Sequence, residues 1–346
     1  MRLDLGDLRT IAVGFAAAIV VLLALFTVVG IDRVLDALSL ADTQVVALIL
    51  VVALGWLAAW SMALRTVLGV LGVGISPLRA FMLYAGATFA NNITPFGQAG
   101  GEPFSALLIS QDTGAEYETG LAAIASVDSI NFVPSIAFAL VGVGYYATVL
   151  TVGDRLQIEY IALAVGGLAV GVPVAATLAW RARDRVEVGV AGVVVPVFGA
   201  VARVVPRVEP TTRSAVRRRV RGFFGAIERV AGDRRSLLLA VSFSALGWLL
   251  SATSLWLSLY ALDVVVPFAA ALFVIPLVSM AGVTPLPGGL GGVEAALVFL
   301  LGPIAGISGS MAAAAAVIHR AATYLLPVVI GGVSTAMLGA DSVNGE

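Results

Sequence analysis

The chain has 346 residues, of which 60% are hydrophobic and only 12% are charged, with a mean hydropathy of +1.03. Soluble domains usually carry about 25% charged and about 45–50% apolar residues, so this composition excludes a typical cytosolic enzyme, a secreted disulfide scaffold and a nucleic-acid-binding module. The chain has no cysteine and a single histidine, which excludes thiol chemistry and a histidine cluster, and we expect neither a metal nor a cofactor.

Uncharged apolar runs long enough to cross about 30 Å of hydrocarbon recur along the chain. They are continuous rather than alternating, which favours helices over the strands of a β-barrel. No small-residue cleavage site follows the first run, so we interpret it as a retained helix and not as a signal peptide. The predicted full spans are residues 11–29, 45–64, 121–145, 158–180, 236–262 and roughly 311–338.

Two further apolar segments, 78–110 and 266–302, are each interrupted near the middle by glycine and proline. Non-helical backbone at membrane depth is stable only where it is buried in protein or lines a wet cavity. We therefore interpret both segments as broken, re-entrant hairpins. The predicted fold is an all-α, polytopic membrane helix bundle with about six full spans and two such hairpins.

The two halves of the chain repeat several landmarks at a nearly constant offset of 190–192 residues. Leu-Gly-Trp-Leu at 54–57 recurs at 246–249, and the Thr-Pro and Gly-Gly pairs of the first hairpin recur in the second. Several matches in the same order indicate a structural duplication. We place repeat one at about 45–146 and repeat two at about 237–338, inside a single integral membrane domain that covers 1–346.

All 20 basic residues are arginines, and 13 of them lie between 181 and 235 beside five acids, which gives this stretch a charge of +8. Arginine-rich loops stay on the cytoplasmic side, so we predict a cytoplasmic loop 181–235 and cytoplasmic N- and C-termini in the cell (plasma) membrane. Counting spans from this loop makes the two hairpins enter from opposite faces. Such an inverted repeat with interrupted helices is typical of transporters.

Inside the basic loop, 213–221 is arginine-rich and is followed by Phe223, Phe224 and Ile227. This pattern is typical of a helix that lies on anionic headgroups; the alternative is a topogenic anchor without a further role. The apolar stretch 188–205 fits either an interfacial helix or an extra membrane span. Its internal proline and its glycines favour the interface.

Polar groups concentrate where the hairpins break. A helix begins at each Gly-Gly pair, where free N–H groups can bind an anion, and a glutamate stands in each first turn. These glutamates could instead only cap the helices at tight bends, and the two roles can coexist. The candidate substrate-binding residues are Asn91, Asn92, Thr94, Gly100, Gly101 and Glu102 in the first hairpin, and Thr284, Gly291, Gly292 and Glu294 in the second.

Asp128 and Arg320 are charges inside predicted spans, and each stands 26 residues after the glutamate of its own repeat. A charge there costs at least about 2.5–3.5 kcal/mol, so it faces a partner or a cavity. Asp128 or a glutamate could pair with Arg320 and lock the helices; alternatively, Arg320 binds a phosphate while the acids move protons or receive a cationic group. Asn131 and Tyr324 lie one turn further on the same helix faces, and His319 is either a proton relay or a packing residue.

Three motifs together resemble the lysylphosphatidylglycerol synthase transmembrane, or flippase-like, family. They are Asn-Asn-Ile-Thr-Pro-Phe-Gly-x-x-Gly-Gly-Glu-Pro at 91–103, Pro-Leu-Pro-Gly-Gly-Leu-Gly-Gly-Val-Glu at 285–294 and His-Arg-Ala-Ala-Thr-Tyr-Leu-Leu-Pro at 319–327. The resemblance covers nearly the whole chain and implies an eight-segment bundle that flips or handles a phospholipid or polyprenyl-phosphate carrier. It also implies a headgroup path lined by Asn92, Glu102, Glu294 and Arg320.

These observations predict a lipid flippase or translocator without covalent chemistry, with a membrane lipid as its partner and no nucleic acid. One alternative is an ion-coupled secondary transporter of a small solute. Another is a membrane partner of a separate lipid-modifying glycosyl- or aminoacyl-transferase. The sequence contains no soluble aminoacyl-transfer domain, which weighs against an enzyme, and the oligomeric state stays open.

Overall fold

A computed structural model describes residues 30–94, 97–149, 213–280, 282 and 286–344, with scattered residues between 166 and 189. Over these residues all regular secondary structure is helical and no strand occurs, which confirms the predicted all-α class. The predicted span 11–29, most of the span 158–180 and nearly all of the stretch 188–205 lie outside the described residues.

The described helices are numbered here in chain order. They are α1 Ile31–Ser39, α2 Thr43–Val70, α3 Pro77–Ile93, α4 Gln98–Thr113, α5 Tyr117–Val149, α6 Arg213–Gly232, α7 Arg234–Tyr260, α8 Phe268–Met280, α9 Gly292–Ala305, α10 Gly309–Arg320 and α11 Leu326–Asn344. A 3₁₀ turn, Pro287–Gly289, precedes α9, and a π-helical turn, Ala321–Leu325, joins α10 to α11.

Five stretches of the described chain are long and apolar enough to cross a membrane. Four of them coincide with predicted spans, and the fifth, Pro287–Ala305, joins the 3₁₀ turn to α9 in the second broken segment. The other four are Thr43–Val70, Tyr117–Tyr145, Arg234–Tyr260 and Gly309–Gly339. The protein is therefore a multi-pass helical membrane protein.

Both broken segments are interrupted where the sequence predicts. The first stops being helical after Ile93 and resumes at Gln98, and the second stops after Met280 and resumes at Gly292. The limbs α3, α4 and α8 have 17, 16 and 13 residues, which at 1.5 Å per residue is less than the roughly 20 residues that a span requires. Each of these limbs is shorter than a full span, and the re-entrant course of both segments stays a prediction.

Helices α2 and α7 pack against each other where Leu-Gly-Trp-Leu repeats. The Trp60 ring of α2 lies on Gly247 of α7, where a Cβ would collide with it, and its centroid is 5.8 Å from that of Trp248. The Trp60 Nε1–H donates to the Ser244 carbonyl over 3.2 Å. This contact joins the predicted repeat one to the predicted repeat two, whose duplication and inverted orientation stay predictions.

The apolar interior forms two clusters. One is built mainly by α7 to α10, and the other lies among α2 to α5 with contributions from α6, α7 and α11. Fully buried members of the first include Leu255, Val274, Leu297 and Ala314, and those of the second include Leu68, Leu83 and Ala122. The two clusters hold the two hairpins, so that their broken ends meet between them.

Candidate functional site

The broken ends of the two hairpins lie against each other. A Cβ added to Gly97 would be 3.3 Å from the Gly282 carbonyl oxygen, and one added to Gly288 would be 3.1 Å from the Asn92 Cα. Both Gly97 and Gly288 have a φ of +54°, a region that L side chains rarely adopt. Glycine is therefore required at these two positions for both conformation and close approach.

In the second hairpin, Glu294 and Arg320 form a buried ion pair. Arg320 Nε lies 2.6 Å from Glu294 Oε1, and the two side chains are 15% and 8% exposed. The other carboxylate oxygen accepts the Gly291 N–H over 2.5 Å, so Glu294 also caps α9. Of the pairs considered for Arg320 from the sequence, the Glu294 pair is the one that forms. The predicted capping role is confirmed for Glu294 but not for Glu102, because no side chain caps α4.

The Arg320 guanidinium is held on two further sides. Its Nη2 donates to the Gly288 carbonyl oxygen over 3.1 Å, and its Cζ lies 4.5 Å from the centroid of the Tyr324 ring, a cation–π distance. The Nε and Nη2 edge thus binds the protein. Nη1 makes no hydrogen bond within the described residues, so this end of the guanidinium can receive another anion.

The π-helical turn includes Tyr324, which belongs to the second half of the chain and contacts the first half. Pro327 lacks an N–H and crowds the carbonyl four residues before it, and here the Leu326 N–H bonds to the Ala321 carbonyl five residues earlier. Such π turns are frequent at functional sites. The Tyr324 hydroxyl donates to the Asn92 carbonyl oxygen over 3.1 Å and ties this turn to the end of α3.

In the first hairpin, the matching positions hold two acids. Glu102 on α4 and Asp128 on α5 lie within interaction range of each other, and Tyr84 of α3 lies within electrostatic range of Asp128. No arginine of the described chain pairs with either acid, so Asp128 and Arg320 do not form the pair that the sequence left open.

Three polar atoms of α3 and α5 are buried without a hydrogen-bond partner in the described part of the chain. They are Asn91 Oδ1, Asn92 Nδ2 and Asp128 Oδ2. Leaving a buried donor or acceptor unpaired costs about 1–3 kcal/mol. These atoms are therefore suited to binding a polar ligand group.

Two predicted site residues contact α7 instead. Asn131 Oδ1 accepts the Ser244 hydroxyl over 2.5 Å, and the Asn131 carbonyl accepts Trp248 Nε1–H over 3.1 Å. His319 is buried with its Nδ1 3.0 Å from the Ser254 hydroxyl. Both side chains thus have partners between helices, which agrees with the packing alternative for His319.

The remaining candidates shape the backbone of the breaks. Thr94 Oγ1 donates to the Ala90 carbonyl over 2.7 Å, at the end of α3. Gly101 allows α4 to approach α3, because a Cβ there would lie 2.7 Å from the Asn91 Cα. Gly100 lies in the first turn of α4 and Gly292 is the first residue of α9. Thr284 lies outside the described residues.

Sequence reasoning missed two residues of this centre. Gly288 supplies a carbonyl to Arg320 and room for the Tyr324 ring. Its signal is the second glycine-proline cluster, which by itself does not indicate a carbonyl ligand for an arginine. Tyr84, near Asp128, carries no signal, because an aromatic residue in an apolar helix looks like any packing residue.

The fold and this centre define a class: multi-pass helical membrane proteins whose interrupted helices meet around charged side chains inside the bundle. Within that class, the chain belongs to the family described as the lysylphosphatidylglycerol synthase TM region, whose model matches residues 11–331. The family that the three motifs predicted is thereby confirmed.

The chain is also similar to UPF0104 membrane proteins of Methanothermobacter thermautotrophicus. One is 28% identical over 342 residues, covering 96% of this chain and 94% of the relative. Two others are 24% and 26% identical over 334 and 329 residues, covering 92% of this chain and 93% and 91% of the relatives. The similarity thus extends over nearly the full length of each protein.

Proposed function

We propose that this protein moves a lipid with a phosphate-bearing headgroup, a phospholipid or a polyprenyl-phosphate-linked lipid, between the two leaflets without covalent chemistry. The observation that carries the proposal is the guanidinium of Arg320, held where both hairpins break, with one end unbonded within the described residues. The membership of the chain in a family named after a phospholipid synthase supports a lipid as substrate.

The headgroup phosphate binds to the free end of Arg320. Guanidinium hydrogen bonds to phosphate are charge-assisted and strong, and the Glu294 carboxylate already orients the other edge. A phosphate that also competes for Nε leaves Glu294 bound to the Gly291 N–H. The buried amides Asn91 and Asn92 supply neutral polar contacts, while the acyl chains stay in the surrounding hydrocarbon.

Movement across the membrane follows from the predicted inverted repeat. Rocking of the two halves about the contact between α2 and α7 would expose the centre to each leaflet in turn. The Tyr324–Asn92 hydrogen bond joins the two broken ends in this conformation. The proposal includes a plasma-membrane location with both termini and the arginine-rich loop on the cytoplasmic side.

A second candidate is ion-coupled transport of a small solute, which the Glu102–Asp128 contact favours. Two neighbouring acids inside a helix bundle can take up and release a proton during a transport cycle, as carboxylates do in proton-driven carriers. The two candidates differ in what crosses the membrane. Uptake of a water-soluble solute by vesicles that show no lipid movement would select the second.

A vesicle assay with a fluorescent phosphatidylglycerol, bleached from outside with dithionite, tests the proposal. The double variant Arg320→Met/Glu294→Gln removes both charges of the ion pair, so no buried charge is left unpaired. Lipid movement should fall roughly ten- to a hundredfold, because a hydrogen bond to a charged group contributes about 1.5–3 kcal/mol.

The matched control is Arg79→Met/Asp112→Asn, which removes another arginine–carboxylate pair, 2.8 Å long, at the far ends of α3 and α4. Arg79 is 47% exposed and lies away from the breaks. This variant should move lipid at the rate of the unaltered protein. Equal rates in all three proteins would refute the role of Arg320.

A further inference from the structure

The short helix α1 presents three different faces. Val34 and Ala37, 2% and 7% exposed, pack into the apolar cluster that is built mainly by α7 to α10. Ile31 and Leu35 are also apolar, but they are 50% and 57% exposed. The polar residues of the helix are all exposed, and they are Asp32, Arg33, Asp36 and Ser39. The helix therefore has a protein face, an exposed apolar face and a polar face.

The exposed apolar face lies between the other two. At about 100° per residue, Ile31 and Leu35 lie about 60° and about 100° to one side of Val34, and Asp32 follows at about 160°. Ala37 lies about 60° to the other side of Val34. Packing of Val34 and Ala37 on the bundle therefore directs Ile31 and Leu35 sideways, along the surface of the protein.

The start of one span and the end of another fix the position of α1. Asp42, which caps α2, donates its backbone N–H to the Ala261 carbonyl oxygen over 2.9 Å, directly after the end of α7. Both α2 and α7 are long and apolar enough to cross a bilayer, so this contact lies at a membrane–water boundary. Because α1 ends at Ser39, shortly before Asp42, it lies at the same boundary.

Two aromatic side chains mark the same level on α7. Trp256 and Tyr260 stack near the end of this helix with their ring centroids 5.9 Å apart, and Tyr260 is 50% exposed. Tryptophan and tyrosine are enriched where the hydrocarbon meets the lipid headgroups. The stacked pair therefore indicates, independently of helix length, that this end of the bundle lies at the interface.

We propose that α1 inserts the face of Ile31 and Leu35 into the bilayer interface, at the end of the bundle opposite to α6, and keeps its polar face in water. An apolar sector beside a polar one is typical of helices that lie in the plane of the interface. The polar face carries two acids and one arginine, so inserted apolar area holds the helix there and attraction to anionic headgroups does not. This inference is independent of which substrate the central site moves.

Spin labels on single cysteines test the insertion, because the chain contains no cysteine of its own. Leu35→Cys and Asp36→Cys compare neighbouring residues on the two exposed faces, and Val51→Cys, on α2 and 63% exposed, is the hydrocarbon reference. The full-length variants are placed in phosphatidylcholine nanodiscs with and without phosphatidylglycerol. Power-saturation EPR then measures collisions of each label with oxygen, which concentrates in hydrocarbon, and with a water-soluble nickel chelate.

We expect the ratio of oxygen to nickel collisions to be lowest at position 36, higher at 35 and highest at 51, because α1 lies at the interface and α2 crosses the hydrocarbon. The ratio at position 35 should not change when phosphatidylglycerol or salt is added, since apolar area and not charge holds the helix. Ile31→Cys repeats the measurement on the same face if Leu35→Cys lowers the melting temperature in detergent.

Three results would overturn the proposal. A ratio at position 35 as low as that at 36 would place the apolar face in water. Protection of position 35 from both reagents would show that protein covers this face, as a second copy of the chain would. A ratio that rises only when phosphatidylglycerol is present would assign the insertion to headgroup charge.

Discussion

The two hairpins share one backbone plan and differ in charge. In both, a glutamate follows the break and a second ionisable residue follows 26 positions later on the next span. Glu294 stands in the first turn of α9 as predicted, whereas Glu102 does not stand in the first turn of α4, because α4 already begins at Gln98. In the second hairpin, these residues are Glu294 and Arg320, a neutral ion pair; in the first, they are Glu102 and Asp128, two acids in contact. One frame thus holds a paired arginine in one hairpin and two acids in the other.

The largest expected effect comes from breaking each pair separately. Arg320→Met leaves the buried Glu294 without its partner and should lower the free energy of unfolding by about 3–5 kcal/mol. Asp128→Asn removes an acid from a contact between two acids and supplies an amide donor, so stability should be equal or higher. Both are measured by thermal unfolding in detergent.

The electrostatic difference between the two hairpins is tested by the direction of the two stability changes. If Asp128→Asn destabilises the protein as much as Arg320→Met does, Asp128 has a basic partner and the two hairpins are electrostatically alike. Glu294→Gln in the Arg320→Met background should recover most of the lost stability, because it removes the unpaired charge.

A smaller effect is expected where the two hairpins are joined. Tyr324→Phe removes the hydrogen bond to the Asn92 carbonyl but keeps the ring beneath Arg320, which should cost about 0.5–1.5 kcal/mol. Hydrogen exchange should rise at the end of α3 and leave the ion pair in place. Tyr260→Phe is the control, since Tyr260 is half exposed and stacks on Trp256. If both variants lose the same hydrogen-exchange protection at the end of α3, the Tyr324 hydroxyl does not join the two hairpins.

The smallest effect concerns the caps of the two crossing helices. Asp42 begins α2 and Asp233 begins α7, and hydrogen bonds from Ser236 lower the pKa of Asp233. A group with a lowered folded-state pKa contributes stability above its unfolded pKa, near 4, and loses it as the pH falls through the folded value. The first turn of α7 should therefore fray on acidification.

Hydrogen exchange of that turn at neutral pH and at about pH 3 measures the fraying. Asp233→Asn keeps an acceptor oxygen without the charge, so the difference between the two pH values should shrink. Asp42→Asn, at the start of α2, should leave it unchanged. A pH dependence that persists in Asp233→Asn would assign it to another group.

Local chemistry made part of the centre predictable. The proline and glycine residues at 95–97 and 285–291 disfavour a helix, so the breaks could be placed without coordinates. The cap at Glu294 was predictable for the same reason, because a carboxylate in a first turn meets free N–H groups within its own helix. The π turn before Pro327 was not predicted, since proline in a span also permits a simple kink.

The chain alone determined its membrane class and the four predicted spans that coincide with described helices, because hydrophobic run length depends only on neighbours along the sequence. The choice of partner required the folded bundle. Arg320 could have paired with Asp128 or with either glutamate, and spacing cannot distinguish them, since all three are remote in sequence. The packing of α9 on α10 brings Glu294 within 2.6 Å of Arg320, and the packing of α4 on α5 leaves the other two acids with each other.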